Sequence, residues 1–393
     1  QLYVMLTTAL LHSDAPLGIA LSGGSDSTAL LVLAVDAFGA ENLQAITIDH
    51  GLRAAAQAEA RQAAKLCASL GVPHTIRTLA LKDGPDLQAR ARNARYMALG
   101  DWARAQLNSI PAIALGHTKD DVSETFLMRL ARGSGVDGLA TMPEYFERAG
   151  MVFKRPLLAA SRAELQAMLT KRGITWSEDP SNQDPRFTRV KMRQAQATLD
   201  TLDLTSDRLS QTADWMRAAS EVLENAADNW ITTHAYTEYG DVVLDLQALR
   251  TAPKETAFRV LTRALSTLSG NPYRPRFSAL SELLHSEVAR TLQGCLIYRY
   301  KGTLRLTREV NAIENIEHYW QIDGPLAPSH RITPLGENGL KQCDGWRNTA
   351  LLPRRSLLST PALGLDGVLM AAPIARPDPN WKVRATIPLH LAK

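Results

Sequence analysis

Two short stretches of this chain hold side chains of the kind that do chemistry. In "GHTKDDVSETF" (116–126), His117, Asp120, Asp121 and Glu124 lie close together. The spacing predicts a helix starting near Thr118. On it Asp120 and Glu124 are four apart, as are Asp121 and Thr125, so each pair shares a face. Val122, Phe126, Leu127 and Leu130 would then face the sheet. Carboxylates gathered beside an imidazole are suited to accepting a proton. The plain alternative, strongest for Asp120, is an exposed acidic first turn that only complements the helix dipole.

The second stretch is "LSGGSDST" (21–28). Gly23 and Gly24 after a strand let the backbone approach a ligand and aim its N–H groups into one concavity. A helix beginning near Ser25 adds its positive end, worth about 0.3–1 kcal/mol per exposed anionic group. Ser22, Ser25 and Ser27 can donate hydroxyls to phosphate oxygens. The GxxxxGK[ST] spacing of the common P-loop is absent. Asp26 would repel a phosphate unless a Mg²⁺ ion sat between them. The plain alternative is a capped helix in which Ser25 or Asp26 satisfies backbone donors.

These residues need elements to position them. Short apolar runs occur at 17–22, 43–49, 74–80 and 111–116, with helical stretches between them at about 26–38, 53–70, 86–107 and 119–131. That alternation predicts an α/β fold, a doubly wound parallel sheet covered on both faces. Ligands of such sheets bind at the carboxyl ends of the strands, where both stretches fall. Residues 205–290 read as helices: Trp215, Ala219, Val222, Leu223 and Ala226 recur at helical spacing, as do Ala257, Val260, Leu261, Ala264 and Leu268. "CLIYRYKGTLRLTRE" (295–309) alternates around Lys301 and Gly302, a hairpin signal. The Pro- and Gly-rich end predicts a small β-rich domain. The expected domains are therefore 1–195, a phosphate-binding unit; 203–310, mainly helical; and 315–393, β-rich.

The whole chain sets wider limits. Its 393 residues, 45% hydrophobic and 21% charged, suit a globular protein of two or three domains. No apolar run is long enough for a membrane span. "QLYVMLTTALLH" reads as a first helix and not a signal peptide. The chain opens on Gln1 and not Met, so we expect residues ahead of it in the native protein. Three cysteines without a CxxC pair argue against a disulfide framework, a zinc site or a redox pair, and fit a reducing cytoplasm. A net charge of +4 permits a nucleic-acid partner without demanding one.

Taken in order, "SGGSDS" (22–27), "IDHGLR" (48–53), "ARNARY" (91–96), "GHTKDDVSETFLMRLARGSGVDGL" (116–139), "RPLL" (155–158) and "EDPSNQDPRFTRVKMR" (178–193) resemble the tRNA(Ile)-lysidine synthetase family. This is a branch of the PP-loop ATP pyrophosphatases, with their adenine nucleotide α-hydrolase-like fold. The likeness spans about 17–195 and continues more weakly through "LQGCLIYRY" and "ENGLKQCDGWRNTALLPRRSLLSTPAL". It implies ATP and Mg²⁺ as cofactors, with Ser22 to Ser27 gripping the phosphates and Asp26 holding the metal. It also implies adenylation of C2 of the wobble cytidine in a CAU anticodon, followed by attack of free L-lysine. Val122 and Val190 depart from the family, which commonly has a polar residue and Asn at those positions.

His50 and Arg53 follow the second strand, near where the resemblance puts the adenosine, and Asp49 either joins them or only caps the turn. Arg92 joins His117, Asp120, Asp121 and Glu124 in the catalytic set. Arg92 and Arg95 share a helix face and would meet ATP phosphates or the RNA, the plain alternative being a solvated basic face. Arg189, Lys191 and Arg193 suggest RNA backbone contact, as do Arg354 and Arg355 near the end. Only about one lysine amine in 2,500 is neutral at pH 7, so the attack needs a proton acceptor, which the sequence does not single out among the carboxylates. A homodimer is one assembly such an enzyme could form. The competing readings are a PP-loop tRNA thiolase, which would need positioned cysteines, and a non-catalytic RNA- or nucleotide-binding protein.

Overall fold

The structure is a computed structural model. It describes residues 16–49, 54–79, 84, 87–106, 109–177, 188–271, 273–326, 329–365 and 368–386. The expected first helix, His50, Arg53 and residues 178–187 lie outside the described residues. The chain forms two compact units, Gln1–Ser220 and Glu221–Lys393.

In the first unit, strands and helices alternate as β1 (Leu17–Ala20), α1 (Ser25–Phe38), β2 (Leu43–Asp49), α2 (Ala54–Leu70), β3 (His74–Thr78), α3 (Leu87–Arg104) and β4 (Ala112–Leu115). Then come α4 (Lys119–Leu130), α5 (Val136–Leu139), the strands β5 (Tyr145–Arg148) and β6 (Met151–Lys154), α6 (Arg162–Lys171), α7 (Thr188–Asp200) and α8 (Ser206–His234). The sheet order is β3-β2-β1-β4-β6-β5. All neighbours are parallel except the β5–β6 hairpin.

Alternation along the strands divides two cores. Ile19, Leu21, Ala45 and Ala114 face α1, α2 and α6, while Ala20, Ile46, Ile113 and Phe153 face Tyr96, Leu99 and Trp102 of α3. Helix α1 is buried from Ala29 to Ala34 on every side. A helix apolar all round must be covered twice, and here the sheet and α6 cover it. Chain order reverses between β1 and β4, so the loops after these two strands meet at a topological switch point.

Helix α4 departs from expectation. Val122, Phe126 and Leu127 are buried, but in a cluster with Met142, Leu209 and Ala213 joined by Met192 and Leu199, so the helix packs on α7 and the start of α8. Leu130 is exposed. Both departures from the family pattern, Val122 and Val190, are buried apolar side chains.

In the second unit, β7 (Ala235–Glu238) and β8 (Asp241–Asp245) interrupt the stretch read as helices. Tyr239 and Gly240, both at positive φ, make the tight turn between them. The buried stripe of α8 here is Ala227 and Ile231, and the expected Val222 is exposed, as is Trp215 earlier in α8. Next come α9 (Leu246–Thr251), α10 (Lys254–Ser269), α11 (Phe277–His285), β9 (Arg290–Leu292), β10 (Cys295–Tyr300) and β11 (Thr303–Arg308). The predicted hairpin pairs Tyr300 with Thr303. Five strands in the order β7-β8-β11-β10-β9 pack on α10, whose Ala257, Val260, Leu261, Ala264 and Leu268 are buried as the spacing predicts. The last residues build a three-stranded sheet, a two-stranded sheet and short helices around Leu357 and Ile374. No described helix is long and apolar enough to cross a membrane.

Candidate active site

The loop after β1 is held by its own hydroxyls. Ser27 Oγ receives the Ser22 N–H at 3.1 Å, lies 3.0 Å from Ser22 Oγ, and donates to the Gly24 carbonyl. Gly23 has φ +87°, a conformation that favours glycine. Ser25 Oγ donates to Asp26 Oδ1 at 2.9 Å. The end of β4 comes so close that a Cβ on Gly116 would meet the Ser27 backbone at 2.9 Å. That approach sets His117 beside the loop.

Helix α4 begins at a capping turn. The Thr118 N–H and hydroxyl both donate to Asp121 Oδ2, at 3.0 and 3.2 Å. Asp120 Oδ2 accepts the backbone N–H of Arg162 at 2.7 Å and so fixes the start of α6. Asp120 is therefore not a solvated first-turn acid. A Ser161–Glu164 capping box locks the same turn. From there the Arg162 side chain reaches across the site. Its Nε is 3.0 Å from Asp26, Nη2 3.8 Å from Asp121 and Nη1 3.7 Å from Glu124. The first turns of α1, α4 and α6 thus converge on one guanidinium.

Helix α7 brings two more. Arg193 Nε donates to Glu124 Oε1 at 2.8 Å, and Arg189 lies 3.8 Å from Asp121 Oδ1. Lys191 is exposed and makes no ion pair among the described residues. Glu124 Oε2 is buried with no hydrogen-bond donor among the described residues. An orphaned buried acceptor costs about 1–3 kcal/mol, more for a charged group, so it marks a place where a donor belongs.

The carboxylates differ in their titration. Burial pushes Glu124 up, and Arg193 and Arg162 do not fully offset it. Burial likewise raises Asp26 despite Arg162. Burial works against Asp121 too, but His117, the Thr118 N–H, Arg162 and Arg189 hold it below its usual range. Burial pushes His117 down to about 3, with Arg155, Arg95 and Arg189 adding to it and Asp121 opposing. The imidazole is thus neutral at pH 7. Arg155 Nε donates to His117 Nδ1 at 3.2 Å, and arginine has no acceptor, so the ring proton sits on Nε2. Arg155 is itself fixed by the Pro143 carbonyl at 2.7 Å and by the Phe146 ring, 4.2 Å from its Cζ.

The other expected residues divide. Asp49 is buried at the end of β2. Arg92 stacks 5.6 Å from the Tyr96 ring, and Arg95, half-buried on α3, acts on His117 through space. In the second unit Arg354 and Arg355 are exposed; Arg354 pairs with Glu337 at 2.6 Å and Arg355 lies over Tyr298. Sequence reasoning missed Arg162 and singled out Arg155 only within "RPLL". The signal for Arg162 was present: Ser161 and Glu164 spell a capping box, which makes Arg162 the first residue of a helix after a strand end.

Mg²⁺ binds through one or two carboxylates together with substrate phosphates. Asp26, a hard oxygen donor beside the loop's backbone amides, fits that pattern. No cluster of three or more His, Cys, Asp or Glu able to hold a metal occurs among the described residues.

Residues 4–198 match the PP-loop domain family. A tRNA(Ile)-lysidine synthase of Ruegeria pomeroyi is 38% identical over 384 residues, covering 93% of this chain and 90% of that protein. The chain belongs to the tRNA(Ile)-lysidine synthase family. The enzymes of that name from Rhodopseudomonas palustris and Hyphomonas neptunium are 40% and 36% identical, over 73% and 72% of this chain and 85% and 79% of theirs. Membership makes the chain an ATP-using ligase that forms carbon–nitrogen bonds.

Proposed function

We propose that this chain joins the ε-amine of free L-lysine to C2 of the wobble cytidine in tRNA(Ile) with a CAU anticodon. The cytidine O2 attacks the α-phosphorus of ATP, the α–β bond breaks and pyrophosphate leaves. The amine nitrogen then attacks C2, the C2–O bond breaks and AMP leaves. The observation that carries this reading is Glu124. Its Oε2 is buried and donor-free, while its Oε1 faces Arg162, whose guanidinium also reaches Asp26 of the phosphate loop.

Each residue then has a task. Ser22, Gly23, Gly24, Ser25 and Ser27, with the N-terminus of α1, grip the β,γ-phosphates. Asp26 with phosphate oxygens would hold Mg²⁺, which neutralises charge on the leaving pyrophosphate. Asp121 is held below its usual range, so it keeps its charge and orients the ammonium. Glu124, pushed up by burial, is the better proton acceptor. His117 offers an Nε2–H donor and not a base. Asp49 would line the adenosine side, where the resemblance also assigns His50 and Arg53, and Arg92 and Arg95 would take phosphate. Arg189, Lys191, Arg193, Arg354 and Arg355, with regions 203–310 and 315–393, would meet the RNA.

The test is ATP–pyrophosphate exchange with and without bulk bacterial tRNA, followed by incorporation of labelled lysine. Exchange should require tRNA and no sulfide, and labelled lysine should enter tRNA in step with AMP. Exchange that proceeds without tRNA, or product that requires sulfide, would sink the reading. Asp26→Asn should lose Mg²⁺-dependent exchange at unchanged melting temperature; normal exchange would reduce Asp26 to a helix cap.

A further inference from the structure

The lysidine reading gives roles to the loop and to the α4 carboxylates but none to Arg162, which touches both. One guanidinium contacts Asp26 and also lies within 4 Å of Asp121 and Glu124. Its backbone is pinned by Asp120 and by the Ser161–Glu164 box, so only the side chain is free to change partners. It neutralises, from inside, the carboxylates on which the two ligands would act.

We propose that Arg162 is a positioning residue coupling the two ligands of the site. A Mg²⁺-bound triphosphate in the loop draws the guanidinium off the carboxylates onto phosphate oxygens, and so frees Asp121 and Glu124 for the lysine ammonium. The inference rests on the lysidine reading. Its chemistry is general: a guanidinium's planar fork matches phosphate oxygens as well as carboxylates, and Asp26 would hold the cation that accompanies the triphosphate in its place. Two sites linked in this way bind cooperatively, and the coupling is reciprocal.

The experiment is lysine binding to the full chain by calorimetry, with and without Mg²⁺ and α,β-methylene ATP, which cannot be cleaved at the bond the reaction breaks. Wild type should bind lysine at least about fivefold more tightly with the analogue present. Arg162→Ala should bind lysine equally well in both conditions. Arg162→Gln carries the same expectation should the alanine variant not fold. Arg162→Lys, which keeps the charge without the fork, should retain part of the coupling. Gln166→Ala removes a different contact from α6 to the loop, Gln166 Nε2 to Ser25 Oγ at 3.4 Å, and should keep the coupling whole. Loss of coupling there would assign the effect to docking of α6 and overturn the proposal. Full coupling in Arg162→Ala, or wild-type lysine binding indifferent to nucleotide, would overturn it too. Absence of lysine binding by wild type in both conditions would instead refute the lysidine reading, and this inference with it.

Discussion

Glu124 in the first unit and Asp241 in the second lie almost equally deep, at 3% and 1% exposure, yet their surroundings differ. Asp241 accepts from Arg305 at 2.9 Å and from the Ser356 hydroxyl. Arg305 is itself buried and also pairs with Glu238. Ser356 in turn meets the Tyr298 hydroxyl, so this cluster ties β8, β10 and β11 to the last segment of the chain. Glu124 has partners on one oxygen only, Arg193 with a side chain 40% exposed and Arg162 at 3.7 Å with a side chain 20% exposed. A buried charge with every neighbour fixed and buried holds a fold together. One with a donor-free oxygen and partly exposed partners is prepared for something to arrive.

The sharpest way to break this contrast is Glu124→Gln. The amide keeps the shape and removes the proton acceptor, so lysine transfer should fall about 10²–10⁴-fold in single-turnover assays while pyrophosphate exchange persists. Raising the pH should recover part of the loss, because the neutral amine fraction rises about tenfold per unit below its pKa. In wild type the acid limb of transfer should fall off as Glu124 protonates, above the ordinary value of 4.5. Equal loss of exchange and transfer, with no recovery at high pH, would place Glu124 on the ATP side of the site.

Asp241→Ala should act on stability instead. Removing one partner of a buried pair costs about 3–5 kcal/mol, which urea unfolding of the second unit should show, with exchange per folded molecule little changed. The sign with pH is also fixed. Burial raises folded Asp241 to about 6 from an ordinary 3.8, so the folded state binds this proton more tightly than the unfolded chain. Its contribution to stability is therefore greatest below pH 3.8 and is lost as pH rises through 6. The stability of wild type relative to Asp241→Asn should rise on acidification across that window. A flat difference, or collapse of exchange in the folded variant, would erase the distinction between the two carboxylates.

Much of the first unit was legible in the sequence because its signals are local. A glycine pair after an apolar strand, and acids four apart on a helix, need no distant partner to be recognised. What escaped depends on distant packing. Leu130, Trp215 and Val222 fit a helical stripe but are exposed, because neighbouring elements cover a different face of each helix. The β7–β8 hairpin sat inside a run read as helix, although "TEYGDVVLD" carries a turn glycine and β-branched residues. Arg162 was missed because its importance comes from three carboxylates on two other helices. The run "RFTRVKMR" looked uniformly basic, and only the fold separates its members.

That separation gives the smallest predicted effect. Within α7, Arg189 and Arg193 turn toward Asp121 and Glu124, so part of their charge is already matched inside the protein. Lys191 is exposed without an ion pair among the described residues. Counterions are released only where a cation newly meets a phosphate, at a slope of about 0.7–0.9 per contact. Lys191→Ala should therefore lower the salt dependence of tRNA binding by about that amount and leave lysine transfer at saturating tRNA unchanged. Arg193→Ala should change the slope by less than Lys191→Ala and slow transfer, since it strips Glu124 of its closest cation. The measurement is tRNA affinity across a series of salt concentrations, beside single-turnover transfer. Equal slopes for the two variants with equal rates would show that Arg193 is a surface cation like Lys191, and that the half-open surroundings of Glu124 have no part in the reaction.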